Sequence, residues 1–481
     1  MSRKVLISFL GTTPYFPVRY QWDTNMVSER TPFVQEVIAR NLCKDWTATD
    51  CIMIFRTTDS NTKNWIDKTD ENGTVTVKGL ASTLMDIEVT DRTGSSRKLE
   101  CAINPGNGAD ADSYIIETGL SEEELEGIFD KVFEKLNDDD EIYFDITHAF
   151  RTIPLFATVL FNYARFLKHI AIKGIYYGAF EKLTAEYGSV YNIKQLAPEV
   201  QDTLVAPIAN LTNIVRLQEI TSAAASFSDF GNLRAFSKLL FGIEELDVDI
   251  KNISDALKDL DGYIQTCQIG AIEDGAYISS INRSIDSFCN SIFTTKAQRI
   301  LLRSISNQLT AFGFVGEASY GNIEAAIDWA VRYNMIQQAL TMAQEYIITI
   351  AYDCLCDSMA YDGFVGALPP KTNTDNANDL YPIRERLGKI IRAEKYHSQN
   401  NDSYEFSRNS PLNSMPGATT LINDYRDLFV DMTRDFNRIT VLRNTLNHAN
   451  STNATNMAYQ DYIDEFRTLW ERCKEITKNY E

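Results

Sequence analysis

The spacing of apolar residues changes once along this 481-residue chain, and that change limits its folds more than any other feature. In roughly the first 190 residues, short unbroken apolar runs alternate with stretches of helical spacing. Val5–Leu10 (VLISFL) and Cys51–Phe55 (CIMIF) are continuous runs of the kind found in parallel strands covered on both faces. Glu141–Ile146 and Ala171–Tyr177 are read as further strands, and Thr74–Val77 and Tyr114–Ile116 as shorter ones. Between them, helices are predicted after Thr31-Pro32, from Ser121 (with Ser121 and Glu124 as a capping box) and over Pro154–His169. After about Pro207 only helical spacing remains: Ile208–Ala225, Asn232–Phe241, Ile250–Ile264, a long amphipathic stretch over Ile323–Tyr352, and a last pair over Leu421–Asn447 and Met457–Asn479. The fold class that follows is α/β plus all-α: a doubly wound, Rossmann-like domain over residues 1–200, a helical connector over 201–296, and an all-helical domain over 297–481. Residues 366–419, rich in Asn, Ser, Asp and Pro, are read as a partly mobile insertion with a short basic helix around Ile383–His397.

Two loops of the first domain carry chemistry. Gly11-Thr12-Thr13-Pro14-Tyr15 leaves the first strand, and Thr147-His148-Ala149-Phe150-Arg151 leaves the strand ending at Ile146. Ligands of open parallel sheets bind beyond the carboxyl ends of strands. Gly11 lets backbone approach a ligand closely. The threonines and His148 offer donors, and Arg151 offers a guanidinium suited to phosphate. The first loop lacks the GxGxxG spacing of dinucleotide sites, which disfavours a nicotinamide or flavin oxidoreductase.

In the helical part, Leu442-Arg443-Asn444-Thr445-Leu446-Asn447-His448 places an arginine and a histidine on one helix end. At ~100° per residue, Arg443 and His448 project ~140° apart with Asn444 between them. An imidazole can exchange a proton with a ribose hydroxyl, and a guanidinium can hold the phosphate beside it. One helix makes half a site, which a second copy across a two-fold axis would complete. Glu345, a carboxylate within an apolar stripe, is expected to pair with Arg443.

Bulk composition narrows the partners. The formal charge of −20 argues against a surface that coats nucleic acid, while leaving room for a small cationic site. The eight cysteines are scattered and only four histidines are present, so no metal and no resident cofactor is expected. No apolar run has the length of a membrane span, and the basic start before Val5 is followed by too short a run for a signal peptide. A cytoplasmic protein with no membrane partner is expected.

VLISFLGTTPY, DITHAFR and RNTLNH together resemble the CRISPR-associated CARF–HEPN proteins of type III systems, DITHAFR being similar to that family's DxTHG signature. The likeness extends to Thr31–Gln35, to Asn64-Trp65 and to Ile336–Leu340, and excludes the insertion. It implies a CARF domain that dimerises and binds a ring of linked adenylates on the two-fold axis through residues Gly11, Thr12, Thr13, Pro14, Tyr15, Thr147, His148, Ala149, Phe150 and Arg151. Cyclic tetra-adenylate is the favoured activator and cyclic hexa-adenylate the second candidate, both made by a type III CRISPR complex. It also implies a HEPN ribonuclease whose RxxxxH motif is Arg443 and His448, with Asn444 as the polar residue after the arginine, cutting single-stranded RNA without metal. A homodimer, or a higher oligomer built from it, is the implied assembly. Ala149 stands where the signature has glycine, which bears on ring size and affinity, and whether the pocket degrades its own ligand is left open. The alternative is a non-catalytic sensor whose helical domain binds RNA or a protein partner.

Overall fold

Strand β1 (Lys4–Leu10) is buried along almost its whole length, and its side chains divide between two cores. Leu6 and Leu10 join Val34, Ile38, Ile52 and Ile54 on one face of the sheet. Val5, Ile7 and Phe9 join Met53, Phe55, Ile142 and Phe144 on the other. This is why the run is unbroken in sequence: both outcomes of the strand's period of two meet apolar cover. The computed structural model describes residues 2–90, 96–105, 111–148, 153–234, 248–290, 295–366, 380–392, 413, 415–447 and 457–480. The chain divides into two units, Met1–Arg216 and Leu217–Glu481.

In the first unit, β1 is joined by β2 (Arg19–Asp23), β3 (Met26–Val27), β4 (Cys51–Arg56), β5 (Ala102–Ile103), β6 (Glu141–Asp145), β7 (Ala171–Gly178) and β8 (Val205–Asn210). The sheet order is β3-β2-β8-β7-β6-β1-β4-β5. The centre is parallel, with β1 between β6 and β4 and with Ser8 opposite Asp145. Beyond β7 the sheet turns mixed, since β8 runs antiparallel to β7. Helices α1 (Val34–Leu42), α2 (Glu122–Lys135) and α3 (Ile153–Lys168) cover it. Ser121 caps α2 by accepting the Glu124 N–H, while the Glu124 carboxylate accepts from Leu120 N–H and Thr118 Oγ1 rather than closing the box on Ser121.

The expected order of an α/β region followed by an all-helical one holds, with local corrections, three of them in the first unit. The helix read from Ile208 starts later: residues 205–210 form β8, with Ala206 and Ile208 buried and Val205 and Pro207 less so, a period of two too short to stand out beside the helix that follows. Tyr114 closes a 3-10 turn, and Ile115 makes a single bridge to Arg56 in place of a strand. Strand β2 falls in a stretch to which no element was assigned.

The second unit is helical and has one continuous core. Its main helices are α4 (Thr212–Phe230, entered from the first unit), α5 (Val248–Gln265), α6 (Ala276–Asn290), α7 (Lys296–Ala311), α8 (Tyr320–Arg332), α9 (Ile336–Asp357), α10 (Tyr381–Arg392), α11 (Thr433–Asn447) and α12 (Tyr459–Thr477). The stretch read as one helix over Ile323–Tyr352 is two. Asn334 takes a left-handed φ of 62°, which asparagine tolerates, and the Met335 N–H closes back on the Ala330 carbonyl at 2.7 Å. Leu421–Asn447 is likewise interrupted, by a π turn at Asp427–Asp431 before α11. Helix α10, inside the stretch read as an insertion, buries Ile383, Leu387, Ile390 and Ile391 in the common core. At roughly 1.5–3 kcal/mol per fully buried aliphatic side chain, that face makes α10 a structural element. Among the described residues no helix is long and apolar enough to cross a membrane.

Candidate functional site

The loops after β1 and β6 leave neighbouring parallel strands, at the place where the chain turns from β1 to β4 on one side and β6 and β7 fill the other. A crevice at such a switch point is where open α/β sheets bind ligands. Its floor is polar and tied together. Asp145, 1% exposed, accepts from Ser8 Oγ at 2.7 Å on one oxygen. On the other it accepts the Thr147 hydroxyl at 2.6 Å and the Thr147 N–H at 3.0 Å. Burial pushes the Asp145 carboxyl up despite these donors. The Thr147 hydroxyl also accepts the Gly178 N–H at 2.8 Å, so both its capacities hold the turn in place. Gln35 of α1 donates to Ser8 Oγ at 3.3 Å.

The first loop is fixed by Asn64, whose side-chain amide donates to the carbonyls of Gly11 at 2.8 Å and Thr13 at 3.0 Å. With its carbonyl turned to Asn64, Gly11 points its N–H at the Tyr15 phenol oxygen, 2.7 Å away. The Tyr15 ring lies on the His148 imidazole, centroids 4.1 Å apart. His148 Nε2 has no hydrogen-bond partner among the described residues. Burial lowers this imidazole's pKa from 6.5 to about 4, which keeps it neutral and able to accept or donate. Thr12 is half-buried, and Thr13 and Pro14 are exposed at the loop's tip. Beside the loop, Arg56 at the end of β4 is buried over the Trp65 ring and donates to Asn61 Oδ1 at 2.7 Å. Ala149, Phe150 and Arg151 lie outside the described residues. Asn64 and Gln35 fell within the segments of family likeness, whereas the Ser8–Asp145 link joins residues 137 apart and only the lone polar residue in VLISFL hinted at it.

In the helical unit, Arg443 and Asn444 sit near the end of α11. Arg443 is half-buried and donates from Nη1 to Gln344 Oε1 of α9 at 3.2 Å, while its Nε is buried with no partner among the described residues. Asn444 is exposed. His448 lies outside the described residues. Glu345 does not pair with Arg443 as expected: α10 supplies Arg384, whose Nη2 donates to the Glu345 carboxylate at 2.9 Å and to its backbone carbonyl at 3.1 Å. The reason is local, since Glu345 and Gln344 point to different neighbours of α9 and the neutral Gln344 meets Arg443. One turn further along α11, Asn447 accepts from Gln337 at 2.9 Å, a second polar tie between α11 and α9. Among the described residues no group of three or more His, Cys, Asp or Glu is placed to hold a metal ion.

No family model matches the chain. It is similar to a CRISPR-associated protein of Methanocaldococcus jannaschii, with 32% identity over 165 residues. The matched stretch covers 34% of this chain and 22% of that relative, so well under two thirds of the relative's length is represented.

Proposed function

We propose that the chain is a CRISPR-associated endoribonuclease, acting in the cytoplasm as a homodimer and switched on by a cyclic oligoadenylate. The first unit is the sensor. The observation that carries the reading is the cluster at the ends of neighbouring parallel strands, where Tyr15 takes the Gly11 N–H and stacks on a neutral His148 whose Nε2 has no partner among the described residues. A backbone N–H suits a phosphate oxygen, and an imidazole face suits a base. The likeness to a CRISPR-associated protein supports the biological setting. Arg151, next to the described part of the second loop, would add charge for the phosphates.

The second unit is the nuclease. Arg443 would hold the scissile phosphate with its guanidinium and offset the charge that builds on it. The ribose 2′-hydroxyl would attack the adjacent phosphorus and give up its proton to a base. The 5′-oxygen would leave with a proton, ending the upstream fragment in a cyclic phosphate. His448 would move these protons, with its counterpart in a second copy serving the other transfer.

A quenched fluorescent single-stranded RNA, incubated with cyclic tetra-adenylate or cyclic hexa-adenylate in the presence of a chelator, tests the reading. Cleavage is expected only with an activator. Arg443→Ala or His448→Ala should lower it by on the order of 10²-fold or more while activator affinity is kept. A protein that binds the ring and never cuts RNA would be a sensor without a nuclease. Equal loss of binding and cutting in a folded Arg443→Ala protein would remove the division of labour between the units.

A further inference from the structure

Tyr15 stands where a ligand of the first unit's crevice would stand. Its phenol oxygen takes the Gly11 N–H at 2.7 Å, and its ring covers the His148 imidazole at a centroid distance of 4.1 Å and an interplanar angle of 31°. An edge contact with Phe33, centroids 5.8 Å apart, completes its seat. These are the two kinds of contact that a nucleotide makes with a crevice of this type, an oxygen on a backbone N–H and a flat ring on an aromatic face. Gly11 is fitted to this arrangement, because a Cβ there would lie 2.9 Å from the phenol oxygen.

The loop's backbone is anchored by bonds that do not involve the Tyr15 ring, which packs at the edge of the first unit's core. Asn64 fixes the backbone at Gly11 and Thr13, and the Val18 N–H is bound to the Thr31 carbonyl at 3.1 Å. Between the anchors at Thr13 and Val18, Pro14 is exposed and Tyr15 is half-buried. Burial raises the phenol's pKa, so its oxygen is a neutral acceptor. A phosphate oxygen makes the stronger, charge-assisted bond to the same N–H.

We propose that Tyr15 is a gate: an intramolecular occupant of the crevice that an adenylate must displace before its phosphate reaches Gly11 N–H and its base reaches His148. The inference rests on the reading of this crevice as a nucleotide site. The closed gate lowers apparent affinity in proportion to the fraction of molecules that are open.

The test is binding of cyclic tetra-adenylate to the full-length wild type and to Tyr15→Phe, with stopped-flow association measured on both. Tyr15→Phe keeps the ring on His148 and removes the oxygen, leaving Gly11 N–H unpaired in the free protein. Binding is expected to tighten roughly two- to twelve-fold, the change worth one ordinary hydrogen bond. The wild-type association rate should level off at high ligand concentration, where opening becomes limiting, and the plateau should rise in the variant. Binding by Tyr15→Phe alone would also support the gate. If both proteins bind, and the variant binds equally or more weakly with an unchanged plateau, the gate is overturned and the nucleotide reading stands. If neither binds while both melt as folded proteins, the nucleotide reading falls and takes the gate with it.

Discussion

His148 is held neutral by its surroundings, and this makes an acid-dependent contribution to stability. Its folded pKa, about 4, lies below the ordinary value of 6.5 because burial disfavours the imidazolium. A depressed pKa means that the unfolded chain binds the proton first. The stability from keeping His148 neutral is present above pH 6.5 and is lost as pH falls toward about 4. At 1.36 kcal/mol per unit, the loss is roughly 3 kcal/mol. Asp145 acts in the opposite sense, since its raised pKa gives stability that is lost as pH rises through the folded value. The effect is therefore read as a difference: the stability gap between wild type and His148→Gln, from denaturant titrations, should narrow by about that amount from pH 7 to pH 4. A gap that is flat with pH would mean that the imidazole is open to water. Much of this site was legible, because Asp, Thr and His straight after an apolar strand have few uses other than a shaped polar loop. What could not be read is the use of each group. The Thr147 hydroxyl is spent on Asp145 and Gly178, and that depends on contacts across the sheet that no local pattern encodes.

Helix α11 carries Arg443, and its placement depends on ties on both sides. Toward α9 it uses Gln344 and Gln337. Toward α12, Asp435, 5% exposed, accepts from Arg472 Nε at 2.8 Å. Arg472→Ala would leave a buried carboxylate without its cation, expected to cost about 1–3 kcal/mol, less than a fully buried pair because the guanidinium is half in water. Asp435→Asn combined with Arg472→Ala should recover part of that loss, and a double-mutant cycle in urea measures it. A double variant no better than Arg472→Ala alone would show that the pair does not hold α11. At this scale long apolar periodicity marks an element in the sequence, and interrupted periodicity does not. Helices α2, α3, α5 and α12 fall close to their predicted spans, because each presents a full apolar stripe. The break at Asn334 escaped because apolar spacing continues across it, although an asparagine at that point was a usable signal. Strands β2 and β8 escape local reading because they are short and are defined by pairing with strands distant in sequence.

Each unit has its own apolar core, two layers about the sheet in the first and one continuous cluster in the second. Separate cores predict separate cooperative transitions, so calorimetry should resolve two. Ile52→Ala and Ile347→Ala, both at fully buried positions in different cores, should each lower one transition by on the order of 10 °C, from the usual 2–5 kcal/mol for such truncations. With the transitions assigned, the proposed gating becomes a measurable free energy. If the first unit binds cyclic tetra-adenylate as proposed, ligand at about a hundred times its Kd should stabilise that unit by ~2.7 kcal/mol through mass action alone. A ligand that only fills the first unit moves only the transition that Ile52→Ala marks. A ligand that acts as a switch must also favour one state of the second unit, with a coupling typically of 1–3 kcal/mol, so the transition marked by Ile347→Ala must move with it. Because coupling is reciprocal, an RNA analogue held by the second unit should in turn tighten activator binding by the same factor. An activator that shifts the first transition alone, at every concentration, leaves no energy by which the sensor could control the nuclease.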